Sequence, residues 1–330
     1  MTKAVVLVTG ATGLLGSRLI LQLLRENYSV IACKRGHSLS TPSLSNPLLT
    51  WVNIEHLLQN KLQLEAKVEF VIHLAGLVSY ASRDKQALFD TNEGLTNTVI
   101  EWCLNHKVKK LVYISSIAAL GKKAIKNIIS EETQWNDKQF ASNYGASKRA
   151  GEKAIKSAAK YGLKYIILNP SVIIGPGPLN RSSAKLFKYI EDEKPFFTRG
   201  FINYVDVRDI CDLIILAITK LPNNTCYIVN AGHTTYQKFF SLIAKGMNKR
   251  KPKTAIPTSL VLFGALLENI YCKIFDKQAL LSVETAKMAG KKYIYSANKL
   301  NKITGYRYHS LKDAVEFTIH EMKKNSYLKP

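Results

Sequence analysis

Between residues 4 and 169 the chain alternates short, apolar, β-branched runs with segments of helical period, and few folds tolerate that alternation. The strand candidates are residues 4–9, 29–33, 69–74, 110–115 and 165–169, with 50–53 a weaker one. Residues 14–25, 86–105 and 147–161 read as helices between them. Near-continuous apolar strands separated by helices make βαβ units, so the sheet is parallel and covered on both faces. Right-handed crossovers then wind it in two directions from a central strand.

The first strand runs into Gly10-Ala11-Thr12-Gly13-Leu14-Leu15-Gly16, which opens a helix. Gly10 permits a tight turn, Gly13 lets backbone approach a pyrophosphate, and Gly16 lets the helix pack close to the strand. Thr12, Leu14 and Leu15 belong to the same phosphate-facing turn, where free N–H groups and the helix dipole favour an anion. The second strand ends in Lys34-Arg35, where an NAD-selective site offers an acid to the ribose. A guanidinium pairs with a 2′-phosphate that a carboxylate repels, so NADP is expected over NAD. His73-Leu74-Ala75-Gly76, at the end of another strand, gives the cofactor a close backbone approach, and His73 itself reads as a structural histidine.

In Tyr144-Gly145-Ala146-Ser147-Lys148 the four-residue spacing puts Tyr144 and Lys148 on one helix face. A phenol ionises near pH ~10, so acid–base work at neutral pH requires a change of about 4 kcal/mol. One ammonium ~4 Å away supplies about that much at an effective dielectric of ~20, so Lys148 is expected to acidify Tyr144. The strand at 110–115 leads into Ser115-Ser116, hydroxyls at the carboxyl end of the sheet where ligands bind in such folds.

After Pro170 the texture changes. Gly175-Pro176-Gly177-Pro178 is a rigid loop, residues 226–230 form one run that returns to the sheet, and 236–245, 260–275 and 311–323 read as helices. The Ser/Pro/Leu-rich stretch 38–47 is a loop. The fold class expected is therefore α/β, a Rossmann-type doubly wound parallel sheet with a smaller, mainly helical substrate domain. Residues 1–170 form the dinucleotide-binding part, with 203–232 returning to it, and 171–202 with 233–330 form the substrate domain.

The 330 residues, 46% apolar and 22% charged, exclude a disordered or fibrous chain. Five scattered cysteines without CxxC spacing argue against a zinc site or a disulfide framework and for a reducing compartment, so no metal is expected. No leader or spanning segment is evident, which makes the expected location cytoplasmic. Lysine plus arginine exceed aspartate plus glutamate by 23, a charge that attracts nucleic acid, acidic membranes or phosphorylated ligands. The cations are dispersed and no aromatic residues interleave with a basic stripe, which counts against nucleic acid. The tightest cluster is Lys249-Arg250-Lys251 with Lys253. The apolar 260–275 helix, with Phe263, Tyr271 and Phe275, suits either a lid over an apolar substrate or ordinary core.

Taken in order, these motifs resemble the extended short-chain dehydrogenases/reductases of the NAD-dependent epimerase/dehydratase superfamily. The dihydroflavonol-4-reductase-like and 3β-hydroxysteroid-dehydrogenase-like branch is the nearest in texture. The resemblance extends to Thr91-Asn92-Glu93-Gly94, Asn169-Pro170-Ser171 and Tyr204-Val205-Asp206-Val207-Arg208-Asp209. It implies that Tyr144 donates or accepts the proton and that Lys148 binds the nicotinamide ribose and tunes Tyr144. Ser116, a better match than Ser115, would polarise the substrate, and Asn92 would support a proton relay or hold the local fold. Pro170 would line the nicotinamide site, Gly10, Gly13 and Gly16 would hold the pyrophosphate, and Arg35 would meet the 2′-phosphate.

Three departures narrow the chemistry. Asn53 stands where many members carry an adenine-binding aspartate, although an amide still hydrogen-bonds adenine. Asn169 replaces an arginine frequent in sugar-nucleotide enzymes. Ile117-Ala118 replaces the acidic pair of the sugar dehydratases. The resemblance thus implies NADP(H)-dependent hydride transfer to or from a carbonyl or secondary alcohol of a small organic molecule, in a chain that pairs as a homodimer. Two other readings stay open: a nucleotide-sugar epimerase with tightly bound NAD, and a catalytically silent cofactor-sensing or RNA-binding module.

Overall fold

The computed structural model describes residues 2–36, 46–59, 62, 64, 66–122, 127–135, 142–274 and 283–328, with the backbone alone at 267–274 and 283–285. Seven strands make one sheet: β1 Val5–Thr9, β2 Ser29–Lys34, β3 Leu49–Asn53, β4 Phe70–His73, β5 Lys110–Ile114, β7 Tyr165–Pro170 and β11 Thr225–Val229. Its order is β11-β7-β5-β4-β1-β2-β3, with every pair parallel. The chain leaves β1 toward β2 and β3, then returns to β4 on the other side. That reversal opens a crevice at the carboxyl ends of β1 and β4, where Thr9 and His73 stand in register.

Helices cover both faces because the strands are apolar on both. On one face α1 (Leu14–Arg25) turns Leu15, Leu19, Ile20 and Leu23 onto the sheet beside Ile210, Leu213 and Ile214 of α7 (Val207–Thr219). On the other, α2 (Ile54–Leu58), α4 (Leu95–Asn105) and α5 (Asn143–Ala158) bury Leu57, Val99, Trp102 and Ile155 against Leu7, Val71 and Leu111.

The expected helix at 86–105 is interrupted. α3 (Lys85–Phe89) passes through a π turn, Asp90–Gly94, before continuing as α4. The extra residue per turn points Asn92 inward, and such widened turns recur at functional sites. The helix expected from residue 147 starts earlier, at Asn143, because the Ser142 hydroxyl accepts the Gly145 N–H at 2.9 Å and caps it.

Beyond Pro170, sequence periodicity missed a second sheet. β8 (Val172–Ile174) runs parallel to β10 (Phe201–Asp206), which pairs antiparallel with β12 (Gly232–Thr235). A third core lies here, between this sheet and helices α6 (Ala184–Glu191), α8 (Tyr236–Gly246) and α12 (Leu311–Lys324). Two short parallel pairs complete the later half: β6 (Ile128–Ile129) with β14 (Ile294–Tyr295), and β9 (Phe196–Phe197) with β13 (Thr254–Ala255). The remaining helices are α9 (Thr258–Ile274), α10 (Val283–Ala289) and α11 (Asn298–Thr304). Most of the loop expected at 38–47, and the side chains of Tyr271 and Phe275, fall outside the described residues.

Candidate active site

Gly10 adopts φ +69°, a region that only glycine enters without strain, and a Cβ there would lie 2.6 Å from the Ala75 backbone nitrogen. A Cβ on Gly16 would collide with the Gly10 carbonyl at 2.2 Å. Gly13 is exposed at the tip and precedes α1 with no side-chain cap and no acid in the first turn. The helix start therefore presents N–H groups and positive dipole to the crevice. Thr12 and Leu14 flank the tip half-buried, whereas the Leu15 side chain is turned into the core and only its backbone faces the loop. Gly175 and Gly177 pass over Leu14, so the Gly-Pro loop closes against the same turn.

Across the crevice, Leu74, Ala75 and Gly76 follow β4 without regular secondary structure. A Cβ on Gly76 would come within 2.9 Å of both Asn92 Oδ1 and Lys148 Nζ. His73, fully buried, lies with Nδ1 2.6 Å from Thr9 Oγ1 and Nε2 3.0 Å from Thr96 Oγ1. Burial, with Lys148 nearby, holds its pKa down at about 3, so it is a neutral structural residue.

Tyr144 is buried in the first turn of α5. Its phenol lies near the Ser116 hydroxyl, which lowers its pKa, and the Tyr80 ring meets it edge-on at 5.7 Å. Ser116 is half-buried just past β5, where its Oγ also accepts the Ala118 N–H at 3.1 Å. Ser115, in contrast, points into the core and donates to Glu152 Oε1 at 2.5 Å. The two adjacent serines thus have separate environments, and the Ser116 hydroxyl is the one on Tyr144.

Lys148 corrects one expectation. Its ammonium donates to the Ile114 carbonyl at 2.9 Å and sits 4.8 Å above the Tyr113 ring. The influences on Tyr144 are burial, which raises its pKa, and the nearby Ser116 hydroxyl, which lowers it. Helical spacing fixed the face that Lys148 shares with Tyr144 but not the rotamer, so the acidifying contact is not made in this state. Burial pushes Lys148 itself down to about 8, against the attraction of Glu152.

Asn92 is fully buried and fully engaged. Its Oδ1 accepts the Leu77 N–H at 2.8 Å, and its Nδ2 donates to the Leu77 carbonyl and Ser147 Oγ, both at 2.9 Å. Of the two roles expected for it, these bonds favour holding the local fold. Asn53 ends β3 in register with Lys34, and its side chain accepts the Glu55 N–H at 3.2 Å to cap α2. Lys34 is half-buried and Arg35 exposed at the end of β2. Pro170 ends β7, and beside it the buried Ser171 Oγ has no hydrogen-bond partner among the described residues.

Three neighbours escaped the sequence reading. Glu152, one turn past Lys148, also accepts from Asn169 Nδ2 at 2.6 Å, and the same Nδ2 reaches the Ser116 carbonyl at 3.1 Å. A buried carboxylate therefore ties α5, β5 and β7 together beneath Ser116. Lys122 donates to the Ile117 carbonyl at 3.2 Å and to the Tyr295 hydroxyl at 2.7 Å, linking the Ser116 loop to β14. Tyr80 covers Tyr144. Only Glu152 left a signal, its four-residue step from Lys148.

These residues fit a nicotinamide dinucleotide. Glycines stand where any Cβ would fill the cradle, an uncapped helix start faces the phosphates, and a buried lysine and tyrosine lie beyond. The sequence profile of the NAD dependent epimerase/dehydratase family matches residues 6–232. A provisionally named dihydroflavonol 4-reductase of Synechocystis sp. is 26% identical over 329 residues, 98% of this chain and 95% of that one. The dihydroflavonol 4-reductase of Callistephus chinensis is 26% identical over 306 residues, 84% of this chain and 80% of that one. The UDP-glucose 4-epimerase of Thermotoga maritima shares the fold, with a TM-score of 0.76 at 20% identity over 98% of this chain and 99% of that one. The chain belongs to the NAD dependent epimerase/dehydratase family, within the extended short-chain dehydrogenases/reductases, and is a nicotinamide-dependent enzyme.

Proposed function

We propose that the chain is a cytoplasmic NADP(H)-dependent reductase acting reversibly on a carbonyl or secondary alcohol of a small organic substrate, in the manner of dihydroflavonol reductases. The observation that carries this reading is the buried Tyr144 phenol beside the Ser116 hydroxyl, one helical turn from Lys148. Residues 1–170, with 203–232, would hold the dinucleotide, and 171–202 with 233–330 the substrate.

The nicotinamide, when bound, supplies or accepts the hydride. Tyr144 delivers the proton: below its raised pKa the phenol is neutral and has a proton to give to the carbonyl oxygen. The Ser116 hydroxyl donates a hydrogen bond to that oxygen as charge develops there. Lys148 would exchange the Ile114 carbonyl for the ribose hydroxyls and, once turned, lower the Tyr144 pKa. Asn92 keeps the π turn closed around Leu77 while this happens. Lys34 and Arg35 would take the 2′-phosphate, the Gly10–Gly16 turn the pyrophosphate, and Leu74 to Gly76 and Pro170 the path to the nicotinamide.

The test is NADPH oxidation over a panel of ketones. Tyr144→Phe is expected to lower turnover about 10³-fold while NADPH binding persists. Near-normal turnover in that variant rejects the mechanism. Arg35→Ser is expected to weaken NADPH by about 10-fold, the loss of one charge-assisted contact, and to leave NADH unchanged, as read by titration. Release of bound NAD on denaturation, with no net oxidation of NADPH, would instead establish an epimerase.

A further inference from the structure

Two features singled out in the sequence are not used by this site: the Lys249–Lys253 cluster and the apolar helix that follows it. The structure joins them on one segment. On α8, Lys238 and Lys245 line a shallow groove with Leu242, and the groove continues to Lys249 and Lys251. All four lysines are exposed, as are Arg250 and Lys253. Among the described residues, the one carboxylate bonded to this run is Glu193, which accepts the Arg250 backbone N–H at 2.9 Å. Six cations therefore face water, and none of them is ion-paired among the described residues.

Large apolar side chains follow them along the chain. The Lys253 and Thr254 N–H groups both bond the Pro195 carbonyl, and Thr254 pairs in register with Phe196, whose surface is 44% exposed. Five residues after Lys253, α9 begins. It buries Val261 and Ala265 but exposes Leu260 (59%), Phe263 (60%) and Leu266 (51%), residues three apart on one face. The chain from Lys253 to Leu260 spans at most about 25 Å. Singly exposed apolar residues are ordinary, but three on one helix face, a few residues after a basic run, are not.

We propose that this surface, formed by the outer face of α8, the Lys249–Lys253 turn, Phe196 and the exposed face of α9, docks the enzyme onto an anionic membrane surface. Cations attract acidic headgroups, and apolar side chains enter the acyl boundary beneath them. The alternatives fit less well. A nucleic acid gains from successive flat rings to stack on, and here Phe263 is flanked on its helix face by Leu260 and Leu266, which offer none. A second copy would bring six cations against six in a chain already carrying +23.

The experiment is co-sedimentation of the full chain with vesicles of phosphatidylcholine alone and of phosphatidylcholine mixed with phosphatidylserine. Binding is expected to the mixed vesicles only, and to fall as salt shortens the screening length from ~10 Å at 0.1 M to ~3 Å at 1 M. The triple variant Lys249→Gln, Lys251→Gln, Lys253→Gln is expected to bind on the order of 100-fold more weakly, about fivefold per charge. Phe263→Ser with Leu266→Ser is expected to weaken binding while keeping its salt dependence. All these side chains are exposed, so the melting temperature and NADPH binding should not change. Retention independent of phosphatidylserine, or none at all, overturns the proposal. So does salt-dependent binding of RNA without vesicles, or self-association that Phe263→Ser abolishes.

Discussion

Helices α5 and α9 break the usual distribution of polar and apolar residues in opposite senses. α5 buries Ser147, Lys148 and Glu152, and each is answered: Ser147 by Asn92, Lys148 by the Ile114 carbonyl and the Tyr113 ring, Glu152 by Ser115 and Asn169. α9 leaves Leu260, Phe263 and Leu266 in water. Burying a polar group costs free energy unless its bonds are completed, and exposing an apolar one forgoes the gain of burial. Neither choice serves folding. The inward exception assembles the groups proposed to handle the proton at the carboxyl ends of β5 and β7, and the outward one offers a contact.

If that contrast is right, the largest stability loss should come from α5. Glu152→Ala leaves Ser115 Oγ and Asn169 Nδ2 buried without their acceptor, which costs about 3 kcal/mol in total. Glu152→Gln keeps one oxygen and should cost about 1 kcal/mol. Urea midpoints measure both. A loss below about 1 kcal/mol for the alanine variant would mean that the network does not join α5 to β5 and β7. The same variant frees Asn169 from the carboxylate, so the Ser116 carbonyl also loses a fixed partner.

His73 gives the next effect, and it depends on pH. The folded chain holds this imidazole neutral down to about pH 3, while the unfolded chain protonates it near 6.5. Its stability contribution is therefore complete above 6.5 and is lost as pH falls through that window, by about 1.4 kcal/mol per pH unit. Unfolding free energies at pH 6.5 and 5.5 should differ by roughly 1 kcal/mol more in the wild type than in His73→Gln. Equal slopes would show that His73 takes up its proton without leaving Thr9 and Thr96.

Residues differ in how openly the sequence announces such roles. The strands of the large sheet lie within a residue or two of their expected positions, because sheets covered on both sides need unbroken apolar runs. α1 was legible at both ends, its start set by the glycine turn. The π turn at Asp90–Gly94 was not, since one extra residue per turn leaves no mark on composition. β12, Gly-His-Thr-Thr, is polar enough to pass for a loop, and three-residue β8 follows directly on Pro170-Ser171. Within the site, the four-residue step from Lys148 to Glu152 was a signal left unread, and Ser115 and Asn169 are 37 and 17 residues away from Glu152, so that sheet register alone brings them to it. Where Lys148 points was a matter of rotamer, which spacing does not encode.

The smallest effect belongs to α9 and sharpens the contrast most. Phe263→Ser removes a ring that is 60% exposed, so folding stability should move by no more than about 0.5 kcal/mol. Val261→Ala, on the inner face of the same helix and packed in one cluster with Ala265 and Ala286, should cost about 1–2 kcal/mol. Thermal melts of the two variants separate the faces. Equal losses would place Phe263 in a packed core, and the outward face of α9 would then need no partner. A large difference leaves the ring with no part in holding the fold, so that what keeps an aromatic there must be something the folded chain meets.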